Sequence, residues 1–347
     1  MKKLFLTLTF TIICTLLFSQ TFEQQMMYKK AFDEMMQMIK GEKPVNFKRA
    51  VFLYENAHYN NTLDYQKFCA EIDVIAHKVR QIIKSEPPDV QKFKTIGNWA
   101  IFMYMTQPSN FNNNKPFVYD FENFLPSHSP ICGFVTKLLN TGKGNCHSLP
   151  YLYKILADEI GANTTTIAYA PRHVYIKHRD EEGEWRNVEL TNGSISRDIW
   201  MMQTLNIEIK QISSGLYMRA LSEKEIIAAC IFDLINDYER RFKLYNHLTL
   251  AMIESVAAYF PKFHHVIMMR ADNYEDLIKA EYQKQNPDKQ LISKYRKKIN
   301  ESLQLMKEIG YKKIPDKEYR KWVEDAMKEK IERDKEELRK QINNQKK

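Results

Sequence analysis

TGKGNCHSLPYLYKILADEIGANTTTIAYAPRHVYIKHRDEEGEWRNVELTNG, residues 141–193, decides how the chain is read. Gly142 and Gly144 break the preceding structure and deliver Cys146 to the start of a helical run. Leu149, Leu152, Tyr153, Leu156 and Ile160 form an apolar stripe at three- and four-residue spacing, the period of a helix face. Pro150 falls in the first turn, where its missing N–H costs little. Gly161 supplies the left-handed residue that ends such a run. A short strand follows. P-R-H-V-Y-I-K-H, residues 171–178, then alternates as a second strand, turns over Asp180–Gly183, and returns as a third through Trp185–Thr191.

Side chains alternate across a strand, so His173, Tyr175 and Lys177 share one face and His178 takes the other. On the returning strand Trp185, Asn187, Glu189 and Thr191 share a face. Thiol, imidazole and carboxylate therefore come in order on helix, strand and strand, which are the parts of a cysteine nucleophile with its base and orienter. Each residue type has a chemical reason. A free thiol titrates near pH 8.5 and only its thiolate attacks carbonyl carbon. A helix N-terminus and a protonated imidazole both favour the thiolate. A carboxylate on the adjoining strand holds one imidazole nitrogen and leaves the other for sulfur. The start of the helix also offers the Cys146 backbone N–H to a developing oxyanion.

G-N-C before a helix, H-V-Y on a strand and G-x-W-x-x-V-E-x-T after it resemble the transglutaminase-like core of the papain-like cysteine superfamily. The match covers roughly residues 130–195. The resemblance implies Cys146 as nucleophile, His173 as base, and Glu189 in the place of the usual aspartate, with Leu190 where a proline is common. It also extends to a SirB-type subgroup, in which such a core precedes TPR-like helices. Asn145, His147, Trp185 and Asn192 are the flanking residues expected to face a ligand, and Asn192 is the alternative orienter to Glu189. His147 is disfavoured as the base because adjacent helical residues do not face one another. His178 is expected to pack or meet solvent. A zinc site on Cys146, His147 and His173 is discounted, since no CxxC or HxxxH spacing supports it, and no cofactor is expected.

The 347 residues allow two modest domains or one with an appendage. Hydrophobic content of 44% excludes wholesale disorder, and a count of 10 Gly beside many Lys, Glu, Met and Leu favours helix. Residues 1–20 have a basic start, an apolar run too short to span a bilayer comfortably, and Ser19 as a cleavage-site residue; they read as a signal peptide. A secreted or periplasmic protein of bacterial type, with no stable membrane span after cleavage, is the expectation. Cys69, Cys132, Cys146 and Cys230 then remain. They are too scattered for a disulfide scaffold, although a Cys132–Cys146 bond would mask the nucleophile. A net charge of +9 and pI near 9.0 suit anionic surfaces, but no nucleic-acid-binding motif is present. A peptide or protein substrate, cell envelope included, is preferred.

The fold class expected is α+β and mainly helical, a Cys-bearing helix packed on a small antiparallel sheet with helices at both ends. The expected segments are the signal at 1–20, N-terminal helices at 21–125, the transglutaminase-like core at 126–215, TPR-like helices at 216–311 and a charged C-terminal helix at 312–347. Within the last, a solvated, fraying helix is expected from the dense charge. Pro108–Asn123 reads as a loop at the rim of the site. The leading function is a cysteine enzyme that opens amide bonds through an acyl-enzyme, with hydrolysis favoured over transfer. The alternatives are an idle peptide-binding module on the same fold and a helical interaction scaffold.

Overall fold

Apolar residues recur at helical spacing through most of the chain, and the computed structural model of the protein is mainly helical with one small antiparallel sheet. It describes residues 22–126, 129–242 and 247–345, and the segment read as a signal peptide lies outside them. The first elements are α1 (residues 22–40), α2 (Phe47–His58), α3 (Tyr65–Ser85) and α4 (Ile96–Thr106). There follow β1 (Val118–Tyr119), α5 (Val135–Thr141), β2 (Lys143–Gly144) and α6 (Ser148–Ile160). The strands β3 (Thr166–Ala170), β4 (His173–Arg179), β5 (Trp185–Glu189) and β6 (Ser194–Ser196) come next, then α7 (Asp198–Thr204) and α8 (Ile209–Ser213). The chain closes through α9 (Glu223–Phe242), α10 (His247–Ala257), α11 (His264–Tyr282), α12 (Lys289–Glu308) and α13 (Asp316–Gln345).

These elements divide into two compact units, each built from two separate lengths of chain. One takes the described residues up to Asp64 together with Glu223–Leu305. In it α2 packs on α9 and α10 on α11. Several of its buried polar groups are paired: Tyr28 donates to Asp237 at 2.6 Å, and a chain runs from Thr249 through Asn273 to Glu239.

The other unit, Tyr65–Ser222 with Met306–Lys347, carries the 141–193 stretch. Its sheet runs β3-β4-β5-β6, every pair antiparallel. Helix α6 packs on β3 and β4 on one side and against α3, α4 and α5 on the other. That double cover explains why Leu149, Tyr151, Leu152, Tyr153, Ile155 and Leu156 are all buried, a wider apolar surface than the single stripe of an exposed amphipathic helix. The chain turns at Asn192–Gly193 and adds β6 as an edge strand. The segment 108–123 is not wholly loop: β1 pairs in parallel with β2 (Val118 with Lys143, Tyr119 with Gly144), which ties it to the approach to Cys146.

Gly144 is there for space. A Cβ on it would stand 2.6 Å from Ser148 Oγ and 3.0 Å from a Leu138 methyl, and overpacking of that kind typically costs about 1–3 kcal/mol. Gly144→Ala should therefore lower the urea midpoint of the full chain by an amount in that range and slow Cys146 chemistry with it. A midpoint equal to wild type would show that the loop relaxes freely.

Candidate active site

Asn145 shapes the turn that presents Cys146. Its Oδ1 accepts the backbone N–H of His147 at 2.9 Å and of Ser148 at 3.2 Å, while its own N–H donates to Ser148 Oγ at 3.1 Å. These contacts satisfy orphan donors at the head of α6. Cys146 stands two residues ahead of that helix and keeps part of its surface exposed. The Asn145 amide also donates to Phe124 O and to Cys132 Sγ, at 3.1 and 3.3 Å. Cys132 is a free thiol, as is Cys146.

The sheet register places the base and its orienter. Ile176 pairs with Val188, so one step further along Tyr175 lies opposite Glu189 and His173 is its diagonal neighbour on the same face. Diagonal residues on adjoining strands are about 7–8 Å apart at the backbone, within reach of a long side chain. Glu189 spans that gap: its Oε2 lies 2.5 Å from His173 Nε2, and its Oε1 accepts the Thr191 N–H at 2.8 Å. The His173 ring lies nearly parallel to that of Tyr175 at 6.2 Å. With Nε2 engaged, Nδ1 is the nitrogen left for the thiol, which lies close enough to the imidazole for each to feel the other's charge.

The electrostatics follow from that chain of contacts. Burial pushes the Cys146 thiol up, but the neighbouring His173 outweighs it with help from Tyr319 and His147, and the thiol ends below its ordinary value. Burial pulls His173 down. The Glu189 carboxylate and the thiolate reverse this and push the imidazole up to about 10. Burial likewise raises Glu189, and the imidazolium with the Thr191 N–H holds it below the usual carboxylate range. The contacts favour a thiolate–imidazolium–carboxylate row, each charge the partner of the next.

The remaining expected residues take different places. Asn145 is 1% exposed and fully engaged in the turn, so it shapes the loop and does not face a ligand. The His147 ring donates to Gly133 O at 3.0 Å through Nδ1 and packs on Tyr151. Trp185 lies at the far end of β5 under the Arg179 guanidinium, 4.0 Å from ring centre to Cζ, away from the thiol end of β4. Asn192 does border the site, and its Oδ1 accepts from Ser194 Oγ. His178 is buried, with Nδ1 on Arg179 O. Among the described residues no cluster of three or more His, Cys, Asp or Glu could hold a metal ion.

Two tyrosines enter the site that the stretch 141–193 does not contain. Tyr319, on α13, places its hydroxyl 3.2 Å from Cys146 Sγ. It is 5% exposed, against the expectation of a solvated tail, and the Arg172 guanidinium covers its ring at 4.5 Å. Arg172 is itself tied to the start of α13 through Asp316 at 2.6 Å and Ile314 O at 3.1 Å. Tyr119, on β1, is also buried and borders the same space. Tyr319, Trp322, Val323 and Ala326 recur at helical spacing amid the charge, and that stripe was the available signal; Tyr119 had none.

Beside the row lies a cavity of about 320 Å³. His173, Glu189, Asn192, Asp325 and Glu329 are among its polar lining, with Trp200, Leu205, Trp322 and Val323 among its apolar walls. No helix among the described residues is long and apolar enough to cross a membrane.

Alkylation of Cys146 by iodoacetamide should hold its plateau rate through neutral pH and fall only on acidification, as the thiolate takes a proton. In His173→Ala burial then dominates, and the midpoint should move above the ordinary thiol value of about 8.5. A rate profile that ignores His173 would contradict the ion pair.

No family model matches the chain, and no curated protein matches it. Among solved structures, a crystal structure of menin revealing its binding site for the Mixed Lineage Leukemia (MLL) protein aligns over 86% of this chain and 88% of that chain. The identity is 10% and the TM-score 0.29, a likeness that carries no argument about this chain.

Proposed function

We infer that the protein is a cysteine-dependent acyl-transfer enzyme acting on amide bonds of peptides or proteins, hydrolysis being its main outcome. The observation that carries this is the row Cys146–His173–Glu189: a thiol held below its ordinary pKa by the neighbouring imidazole, whose Nε2 is 2.5 Å from a buried carboxylate. The transglutaminase-like reading of residues 126–215 is part of the proposal and is supported by the same order of groups on loop, strand and strand. So is export to a secreted or periplasmic site, on the basic and apolar character of residues 1–20.

The Cys146 thiolate adds to the carbonyl carbon; a C–S bond forms and the C=O π electrons move to oxygen. The His173 imidazolium gives its Nδ1 proton to the departing amine as the C–N bond breaks, leaving a thioester. Neutral His173 then takes a proton from water, whose oxygen attacks the thioester, and the thiolate leaves with its charge restored. Glu189 fixes the imidazole in the tautomer that faces sulfur and stabilises its charged form. The helix end at Cys146 favours the thiolate modestly, by roughly 0.3–1 kcal/mol. The cavity beside the row, apolar with a few converging polar groups, is of the size and kind that takes a substrate side chain.

Incubation of the full-length protein with a complex peptide library, read by mass spectrometry, should give cleavage products that vanish with Cys146→Ser. Glu189→Gln should keep the fold and lower turnover by about 10²–10⁴-fold, the scale seen when an orienting carboxylate is neutralised. Adding a primary amine such as monodansylcadaverine shows whether transfer competes with hydrolysis. Identical product sets from wild type and Cys146→Ser would sink the enzyme reading and leave a peptide-binding module.

A further inference from the structure

An acyl-transfer site needs donors aimed at the oxygen that becomes negative, and removal of one such donor commonly costs about 10²–10³-fold in rate. The sequence offers the Cys146 backbone N–H and no second group. The structure brings two phenolic hydroxyls to the place. Tyr319 Oη lies 3.2 Å from Sγ. A carbonyl oxygen on the carbon that joins Sγ sits one bond further from sulfur, within hydrogen-bond reach of a hydroxyl already at that distance. Tyr119 is the second. Its side chain is 6% exposed, its hydroxyl oxygen is buried with no hydrogen-bond partner, and it borders the cavity together with His173 and Tyr319. The Tyr319 hydroxyl interacts with it without reaching hydrogen-bond geometry. Leaving such a hydroxyl buried and unsatisfied is destabilising, so its retention calls for a reason. An arriving oxyanion is one.

We propose that Tyr119 and Tyr319 are the side-chain oxyanion donors of the Cys146 site, with Tyr319 supplied by the C-terminal helix. This rests on Cys146 acting as the nucleophile. In the resting site the Tyr319 O–H donates to the thiolate; when sulfur bonds to carbon, the charge passes to oxygen and the donor follows it. Both phenols stay protonated while they do so, since burial and the nearby thiolate each push them up. Tyr319 is preorganised for the task. Arg172 clamps its ring and binds Asp316 on the same helix, and Phe124 lies at 5.9 Å on another side. Arg172 adopts a left-handed backbone, φ +54°, which a non-glycine residue takes at a cost, and it immediately precedes His173. One residue thus sets both the base and the donor. A mere plug over sulfur is the rival reading. The open cavity beside Tyr319, which reaches His173 and Glu189 with the helix in place, favours a working donor.

The test compares two reagents on the full-length chain. N-acetyl-phenylalaninal is attacked at its carbonyl carbon: C–S forms, the C=O π pair moves to oxygen, and the hemithioacetal gains its proton from His173. Iodoacetamide is attacked at CH₂; C–S forms as C–I breaks and iodide departs, so no oxygen becomes charged. The readouts are the aldehyde concentration that protects Cys146 and the plateau rate of alkylation. Tyr319→Phe and Tyr119→Phe should each weaken protection by about tenfold or more beyond any change in that variant's own plateau rate of alkylation. Replacement of Tyr319 by isosteric 3-fluorotyrosine, a stronger donor, should tighten protection, which keeps the test standing if Tyr319→Phe folds poorly.

Unchanged protection in both variants overturns the proposal, as does a parallel loss of both readouts. Faster alkylation and tighter protection in Tyr319→Phe would also overturn it and identify a plug. A wild-type chain that alkylates readily at neutral pH but is never protected by the aldehyde defeats the donor assignment alone. Ordinary thiol behaviour in the wild type defeats the enzyme reading itself.

Discussion

The contact between His173 Nε2 and Glu189 Oε2 is the constraint on which the site depends. Glu189 is buried at the end of a strand, and a carboxylate there is costly unless it is paired and hydrogen-bonded. Its partners are the imidazolium and one backbone N–H, and the imidazolium in turn has the thiolate. Removing any one charge leaves its neighbour buried without compensation. The three groups therefore define a single electrostatic unit whose protons belong to the row more than to any member. Such an arrangement is hard to justify as packing alone, because three apolar residues of similar volume would fill the space without the desolvation cost.

Secondary structure serves that row. The β4–β5 register makes His173 and Glu189 diagonal neighbours, and a one-residue slip would turn one of them to the opposite face. Beyond the pair, Lys177 and Asn187 are both buried and both reach Asp198 at 2.9 Å. That second polar cluster stands directly opposite in register, Lys177 with Asn187, and resists such a slip. Helix α6 fixes the remaining coordinate. Its buried face lies on β3 and β4, so the turn at its head, shaped by Asn145 and made possible by Gly144, carries sulfur to the edge where His173 starts.

Much of this was legible from local pattern. Period-two alternation in 171–178 and 185–191, the turn residues between them and the apolar stripe from Leu149 to Ile160 place the helix and the two strands that carry the row. Ser222-Glu223-Lys224-Glu225 has the Ser-x-x-Glu spacing of a capping box, and α9 starts at Glu223. What alternation could not show was the return of the chain: Gly193 takes a left-handed turn, φ +66°, and β6 pairs back on β5. Asn145 and Trp185 misled for a similar reason. Proximity in sequence to Cys146 or Glu189 says nothing of direction, and Asn145 turns its side chain into the helix cap while Trp185 sits at the hairpin end under Arg179.

The C-terminal helix shows the deeper limit. Its composition is that of a solvated helix, and most of its side chains are exposed. Four apolar positions, Tyr319, Trp322, Val323 and Ala326, suffice to turn one narrow stripe inward, because burial needs a face and not a composition. Their docking depends on contacts distant in sequence: Arg172 with Asp316, Gln211 with Gly310 O, and Ser214 with Ile309 O. These hydrogen bonds hold the segment before α13 against the unit that contains the row. No local rule predicts them, since each partner alone reads as an ordinary surface residue. The site is thus closed by the part of its unit furthest along the chain, so the chemistry of Cys146 becomes complete only when residues 306–323 have packed.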